Sequence, residues 1–132
     1  MTGHPTLLHT VLDATDARGL AEFYRQLMGL VYRQGDEDAH DWFVLLTTDG
    51  TRVLAVQQVD ELPRSTWPRP GVPQQLHLDL TVPSTAELDR QHERALALGA
   101  QLLLDRRDDP EEPLYVYADP AGHPFCLFLA PR

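Results

Sequence analysis

The sequence predicts an α+β protein made of one βαβββ module written twice. Three observations carry that prediction. Two leading strands open on the same Leu-His pair, two helical patterns run from a capping residue to a glycine, and each half ends in a hairpin signal. At 132 residues the chain fits a single domain of residues 1–132 with a sizeable core. We divide it into a first module at about 6–59, a linker at about 60–74 and a second module at about 75–130.

The first module begins with a short apolar stretch, Leu7 to Leu12, closed by Asp13-Ala14-Thr15-Asp16. Asp16 is the expected N-cap of a helix. Ala17, Leu20, Ala21, Tyr24, Leu27 and Met28 then recur at helical spacing, and Gly29 stands where a C′ glycine belongs. Strand-like segments follow at Leu30 to Gln34, Trp42 to Thr47 and Arg52 to Val59. Asp49-Gly50, a favoured hairpin turn, separates the last two.

Residues 60–75 hold Pro63, Pro68, Pro70, Pro73, Gly71 and Trp67 without periodicity, so they form a connection, too short to separate independent domains. The second module repeats the first. Leu76 to Val82 is its leading strand, and Ser84-Thr85-Ala86-Glu87 matches a capping box. Leu88, His92, Ala95 and Leu96 supply the helical stripe, and Gly99 ends it. Gln101 to Asp105, Leu114 to Ala118 and Pro124 to Ala130 are the following strands, the last two reversed at Asp119-Pro120-Ala121-Gly122. Neither half alone buries both its helix and its sheet face, so a shared core is expected.

Composition narrows the partners. Twenty acidic against eleven basic residues give a net charge of −9, which repels phosphate backbones and anionic headgroups. Nucleic acid and membrane are therefore not expected. The acidic runs at Asp36 to Asp38 and Asp108 to Glu112 read as solvated loops. The single cysteine, Cys126, permits no internal disulfide and suits a reducing compartment. The opening residues lack a basic, apolar leader, and no apolar run approaches the ~20 residues that span a bilayer. A cytoplasmic location is the expectation.

Parity identifies the working face. Leu76, Leu78, Leu80 and Val82 share one face of their strand, and His77, Asp79 and Thr81 the other. In the first module Leu8 and Leu12 flank the helix side, leaving His9, Val11 and Asp13 opposite. Two histidines at equivalent positions, both turned from their helices, suggest a shared site in a polar cavity between the halves; each is equally readable as a structural donor to a carbonyl. His4, His40, His92 and His123 read as surface or turn residues. No G-x-S-x-G, glycine-rich phosphate loop or CxxC is present, so hydrolase, nucleotide and thiol-redox functions lack support.

These residues resemble the vicinal oxygen chelate superfamily. Leu8-His9-Thr10-Val11, Phe23-Tyr24 and Leu27-Met28-Gly29-Leu30 are similar to its opening strand and helix end. Leu76-His77-Leu78-Asp79-Leu80 and Leu98-Gly99-Ala100 repeat that pattern, and Asp119-Pro120-Ala121-Gly122 resembles the hairpin before its last strand. The resemblance runs from about Leu7 to Leu129. It implies a glyoxalase-like, half-open curved sheet with a helix on the outer face of each module. The superfamily includes glyoxalases, ring-cleaving dioxygenases, fosfomycin-modifying enzymes and metal-free bleomycin-binding proteins, so the fold alone assigns no reaction.

In its metal-dependent members the ligands come from the first and last strand of each half. Carried onto this chain, the resemblance places a metal on His9 and His77 with Gln57 (or Gln58, one register over) and Cys126. The last-strand slots usually hold glutamate, and neither does here. Two imidazoles, an amide oxygen and a thiolate suit Zn²⁺, Ni²⁺, Mn²⁺ or Fe, or the set binds no metal and Cys126 is a small core residue between Phe125 and Leu127. Asp13 and Asp79 share the cavity parity as partners or replacement bases, and Trp42 and Trp67 could wall a flat ligand. Two functions follow as expectations. The first is a metal-free or weakly metal-binding small-molecule protein of the bleomycin-resistance kind. The alternative is a metal-dependent lyase, isomerase or transferase acting on a small oxygenated substrate through His9 and His77. A homodimer is the assembly the resemblance implies.

Overall fold

The computed structural model describes residues 3–130. The chain forms two compact units, Met1–Leu62 and Pro63–Arg132, each a four-stranded sheet with one helix on it. In the first unit β1 (Thr10–Ala14) leads into α1 (Ala17–Met28), then β2 (Val31–Tyr32), β3 (Trp42–Leu46) and β4 (Arg52–Gln58). The sheet order is β1-β4-β3-β2, with β1 and β4 parallel and the other pairs antiparallel. In the second unit β5 (Leu78–Val82) leads into α2 (Thr85–Leu98), then β6 (Gln101–Arg106), β7 (Leu114–Ala118) and β8 (Pro124–Leu129). Its order, β5-β8-β7-β6, is the same topology. The predicted α+β class and repeated βαβββ order are those of the structure.

The helix ends follow from their capping residues. Asp16 accepts from Gly19 N at 3.0 Å, and a side chain at Gly19 would collide with that carboxylate, its Cβ only 2.3 Å from Oδ2. Gly29 stops α1 at φ 68°, a conformation glycine adopts without strain. Ser84 accepts from Glu87 N at 3.2 Å, but the Glu87 carboxylate turns to Arg90 at 2.8 Å instead of closing the box. The nearby guanidinium wins over the N-cap amide.

The helices differ in what they bury. α1 buries Ala17, Leu20, Ala21, Tyr24 and Leu27 of its predicted stripe, with Phe23 in place of Met28, whereas α2 buries only Leu88 and Ala95. Under α1 the sheet contributes Leu12, Phe43 and Val56; under α2 it contributes Phe125, Leu127 and Tyr117. Burying side chains of this size contributes roughly 1.5–3 kcal/mol each.

Three departures from the sequence reading have physical causes. β2 is only two residues long, because Arg33 folds back on Asp36 and Gly35, at φ 94°, breaks the extended run. The acidic run that follows is not wholly solvated. Asp36 is 7% exposed, accepts from Val44 N at 2.8 Å and pairs with Arg33 at 3.0 Å. His92 is likewise no free surface group: its ring stacks on Tyr115 at 3.9 Å and its Nδ1 lies 2.6 Å from the Tyr117 hydroxyl.

The proline-rich connection is ordered around Thr66, whose hydroxyl accepts from Val72 N at 2.8 Å and donates within the same loop. Arg64 donates to Pro120 O at 3.0 Å, tying this loop to the β7–β8 turn of the second unit. There Asp119, 1% exposed, accepts from Ala121 N and His123 N. No helix among the described residues is long and apolar enough to cross a membrane.

Candidate functional site

The two leading strands present their histidines in the same way. Ala14 and Val82 each end a leading strand, and each carbonyl accepts from the residue after the closing strand, Val59 N at 3.0 Å and Ala130 N at 2.8 Å. Counting back from those positions, His77 corresponds to His9 and Asp79 to Val11. The closing strands align through their ladders. Asp79 pairs with Cys126 and Cys126 with Val116, while Val11 pairs with Ala55 and Ala55 with Val44. The equivalent of Cys126 is therefore Ala55 and not Gln57. Matching chain spacings had suggested Gln57, but the segments joining leading and closing strands differ in length between the modules.

In the second module three chemically useful side chains converge on the sheet face opposite α2. Asp79 on β5 and His77, one residue before it, share that face, and parallel pairing with β8 sets Cys126 beside Asp79. His77 Nε2 lies 3.2 Å from Asp79 Oδ1. One ligand atom from each of His77, Asp79 and Cys126 lies within 4.8 Å of the others. Burial first, then the neighbouring Asp79 carboxylate, pushes the Cys126 thiol up to about 11, so without a cation it is protonated at neutral pH. Imidazole, carboxylate and sulfur together form a donor set suited to a borderline divalent ion.

In the first module the same face has different chemistry. His9 stands one residue before β1, half-buried, with its Nδ1 3.5 Å from Arg52 Nη1 and its ring 6.2 Å from that of Trp42. Burial, then the Arg52 and Arg33 guanidiniums, hold its imidazole below the usual histidine range. Arginine has only donors, so a hydrogen bond made at this contact uses the Nδ1 lone pair and goes with a ring proton on Nε2. Asp13, Gln57 and Trp42 form one cross-strand row on this face. The choice between the glutamines is clear. Gln58 turns to α1, accepting from Ala17 N at 2.9 Å and donating to Thr15 O at 2.6 Å, which leaves Gln57 exposed on the other face.

Trp67 lies in the Thr66 loop, half-buried, with its N–H donating to Ser65 Oγ at 3.2 Å. A depression of about 530 Å³ near the β6–β7 connection is lined by Asp105, Arg106, Asp108 and Asp109. Its lining holds none of the imidazole or sulfur donors described above. Sequence parity found His77 and Asp79 on one face; it gave Asp79 as a partner or replacement base, and what it missed is that the β5–β8 ladder sets Asp79 beside Cys126. Arg52 was missed altogether, its only sequence signal being a cation at the start of a closing strand.

Known proteins can be set against this geometry. Residues 9–128 match the family model described as a glyoxalase-like domain. No curated protein matches the sequence. Among solved structures the chain is similar to a possible glyoxalase from Bacillus cereus, at 16% identity over 93% of this chain and 97% of that one, TM-score 0.67. It is similar to a glyoxalase/bleomycin resistance protein/dioxygenase family enzyme from Burkholderia phytofirmans, at 15% identity over 95% and 98%, TM-score 0.71. It is also similar to a mutant of the fosfomycin resistance protein FosX from Listeria monocytogenes, complexed with Mn(II) and 1S,2S-dihydroxypropylphosphonic acid. That match has 19% identity over 99% and 95%, with a TM-score of 0.70.

Proposed function

The chain belongs to the glyoxalase-like domain family, and from that premise we propose that it is a resistance-type small-molecule-binding protein whose second module takes a divalent cation weakly. The observation that carries this reading is the convergence of His77, Asp79 and Cys126, with ligand atoms within 4.8 Å of one another. Three donors fit a tetrahedral ion with one position left for a ligand oxygen. His77 and Asp79 have side chains 44% and 53% exposed, so water competes for the site and weak binding is expected. The sulfur favours zinc-like ions over manganese or magnesium. Asp79 positions the other two donors, facing His77 just before its strand and Cys126 across the ladder.

When bound, such an ion would supply Lewis acidity toward an oxygen of the ligand. The open position keeps the enzymatic alternative in view, a metal-dependent lyase, isomerase or transferase on a small oxygenated substrate; the FosX relative, whose complex contains Mn(II), supports cation chemistry on this fold. His9 and Gln57 are not part of the cation set in this reading, because His9 is engaged by Arg52 and Gln57 is displaced from the Cys126-equivalent position. The same reading keeps the chain cytoplasmic and dimeric, and light scattering that returned a monomer mass would remove the dimer.

The test is calorimetric titration of tag-free, chelator-treated protein with Zn²⁺ and Co²⁺. One equivalent should bind, with a cobalt–thiolate charge-transfer band, and Cys126→Ser or His77→Ala should weaken it by about 100-fold or more, beyond the usual cost of losing an outer-shell partner. Failure of either ion to bind the unmodified protein would exclude the cation.

A further inference from the structure

The first module carries a second constellation that the cation does not use. Arg52 opens β4, Trp42 opens β3 and His9 immediately precedes β1, and the three side chains meet on the sheet face opposite α1. Among the described residues Arg52 pairs with no carboxylate, in a chain of net charge −9. Its partner is instead His9, another basic group. That pairing leaves both groups presenting donors: the spare guanidinium N–H groups of Arg52 and the Nε2–H of His9. Arg33, itself paired with Asp36, adds a second guanidinium whose field reaches His9.

Two adjacent donors of positive or neutral character match the oxygens of an anion. A guanidinium binds carboxylate and phosphonate groups through parallel hydrogen bonds, and charge assistance makes those bonds strong. Trp42 and Val11 add a second requirement, with Gln57 and Asp13 continuing the Trp42 row across the sheet. The Trp42 indole stands 6.2 Å from His9, and Val11, 38% exposed, lies on the same face. A ligand that satisfied both would carry an oxyanion at one end and a flat or apolar body at the other.

We propose that Arg52, His9 and Trp42 form a binding site for the oxyanion of a small organic acid, carboxylate or phosphonate, with its apolar part against the indole. This names the ligand class for the small-molecule reading on which it rests, but it does not depend on the cation.

The experiment uses chelator-treated, isotope-labelled protein titrated with benzoate, phenylphosphonate and uncharged benzyl alcohol, so that failure here is separate from failure of the cation site. The Trp42 indole N–H, assigned with Trp42→Phe, and the His9 and Arg52 amides are followed by NMR. Saturable shifts with benzoate or phenylphosphonate and none with benzyl alcohol are expected, the stronger acid identifying the anion type. Arg52→Gln should weaken binding about tenfold or more, and Arg52→Lys, which keeps the charge but loses the fork, by less. If Arg52→Gln does not fold, Arg52→Lys and the neutral analogue decide. Absence of saturable binding by either acid, equal binding of benzyl alcohol, or unchanged affinity in a folded Arg52→Gln variant overturns the proposal.

Discussion

The two modules share their hydrogen-bond ladders and helix boundaries, yet their corresponding sheet faces differ in kind. Val11, Ala55 and Val44 form a hydrocarbon row in the first module, where the second sets Asp79, Cys126 and Val116. Their undersides differ too. α1 buries six side chains, whereas α2 relies on Leu88 and Ala95 and admits His92 between helix and sheet. The difference teaches that the βαβββ scaffold depends on caps, turns and helix-side packing and leaves the other face free to vary. One module can then bring imidazole, carboxylate and sulfur together while its copy, among the described residues, assembles no such group.

The largest expected effect comes from challenging the helices. Leu88→Ala and Leu20→Ala should each cost about 2–5 kcal/mol in denaturant unfolding, both side chains being fully buried. Hydrogen exchange should separate them. α2, having lost its one large anchor, opens before global unfolding, whereas α1 stays held by its other buried residues. Equal exchange in both helices would refute the asymmetry.

The loops between the second and third strands of each module give a sharper contrast. Asp36→Ala leaves the buried Val44 N–H without its acceptor and should cost about 1–3 kcal/mol. Asp109→Ala loses only bonds to Glu111 N and Glu112 N in an exposed turn and should leave the unfolding midpoint almost unmoved. A smaller effect tests the polar insertion under α2. Tyr117→Phe removes the hydroxyl facing His92 and should cost about 1 kcal/mol, with the near-ultraviolet spectrum of the tyrosine stack otherwise retained.

Acid stability gives the smallest effect. Hydrogen bonding from Arg25, with help from Tyr32, lowers Glu22 from 4.5 to about 2. A depressed carboxyl contributes stability above its unfolded value and loses it as the pH falls, here between 4.5 and about 2. Glu22→Gln should therefore flatten that part of the acid-unfolding curve, modestly, because the pair is 36% exposed and screened by solvent. Hydrogen bonding from Arg90 lowers Glu87 as well, but that guanidinium is 60% exposed, so Glu87→Gln should flatten the curve less than Glu22→Gln.

Legibility in the sequence followed the range of the interaction. Asp16, Gly29, Ser84 and Gly99 act within a few residues, so the helix ends and the repeat were readable. Parity along β5 likewise placed His77 and Asp79 on one face. Pairing between distant strands was not readable to the residue, which is why Gln57 rather than Ala55 was matched to Cys126. Asp36 and His92 were misjudged for a related reason. Their burial depends on a strand amide and on tyrosines remote in sequence, and a polar residue in a loop or helix gives no local sign of either.

The parallel seam between β5 and β8 has one further consequence. It joins the first strand of the second module to its last, and so closes the longest loop in that module. His77 and Cys126 stand on opposite sides of this seam, brought together only when the module is complete. A cation held by both would act as a reversible staple, withdrawing chain entropy from the unfolded state as a covalent cross-link does. Occupancy of the site and stability of the module would then be linked, each raising the other as the cation concentration rises over its Kd.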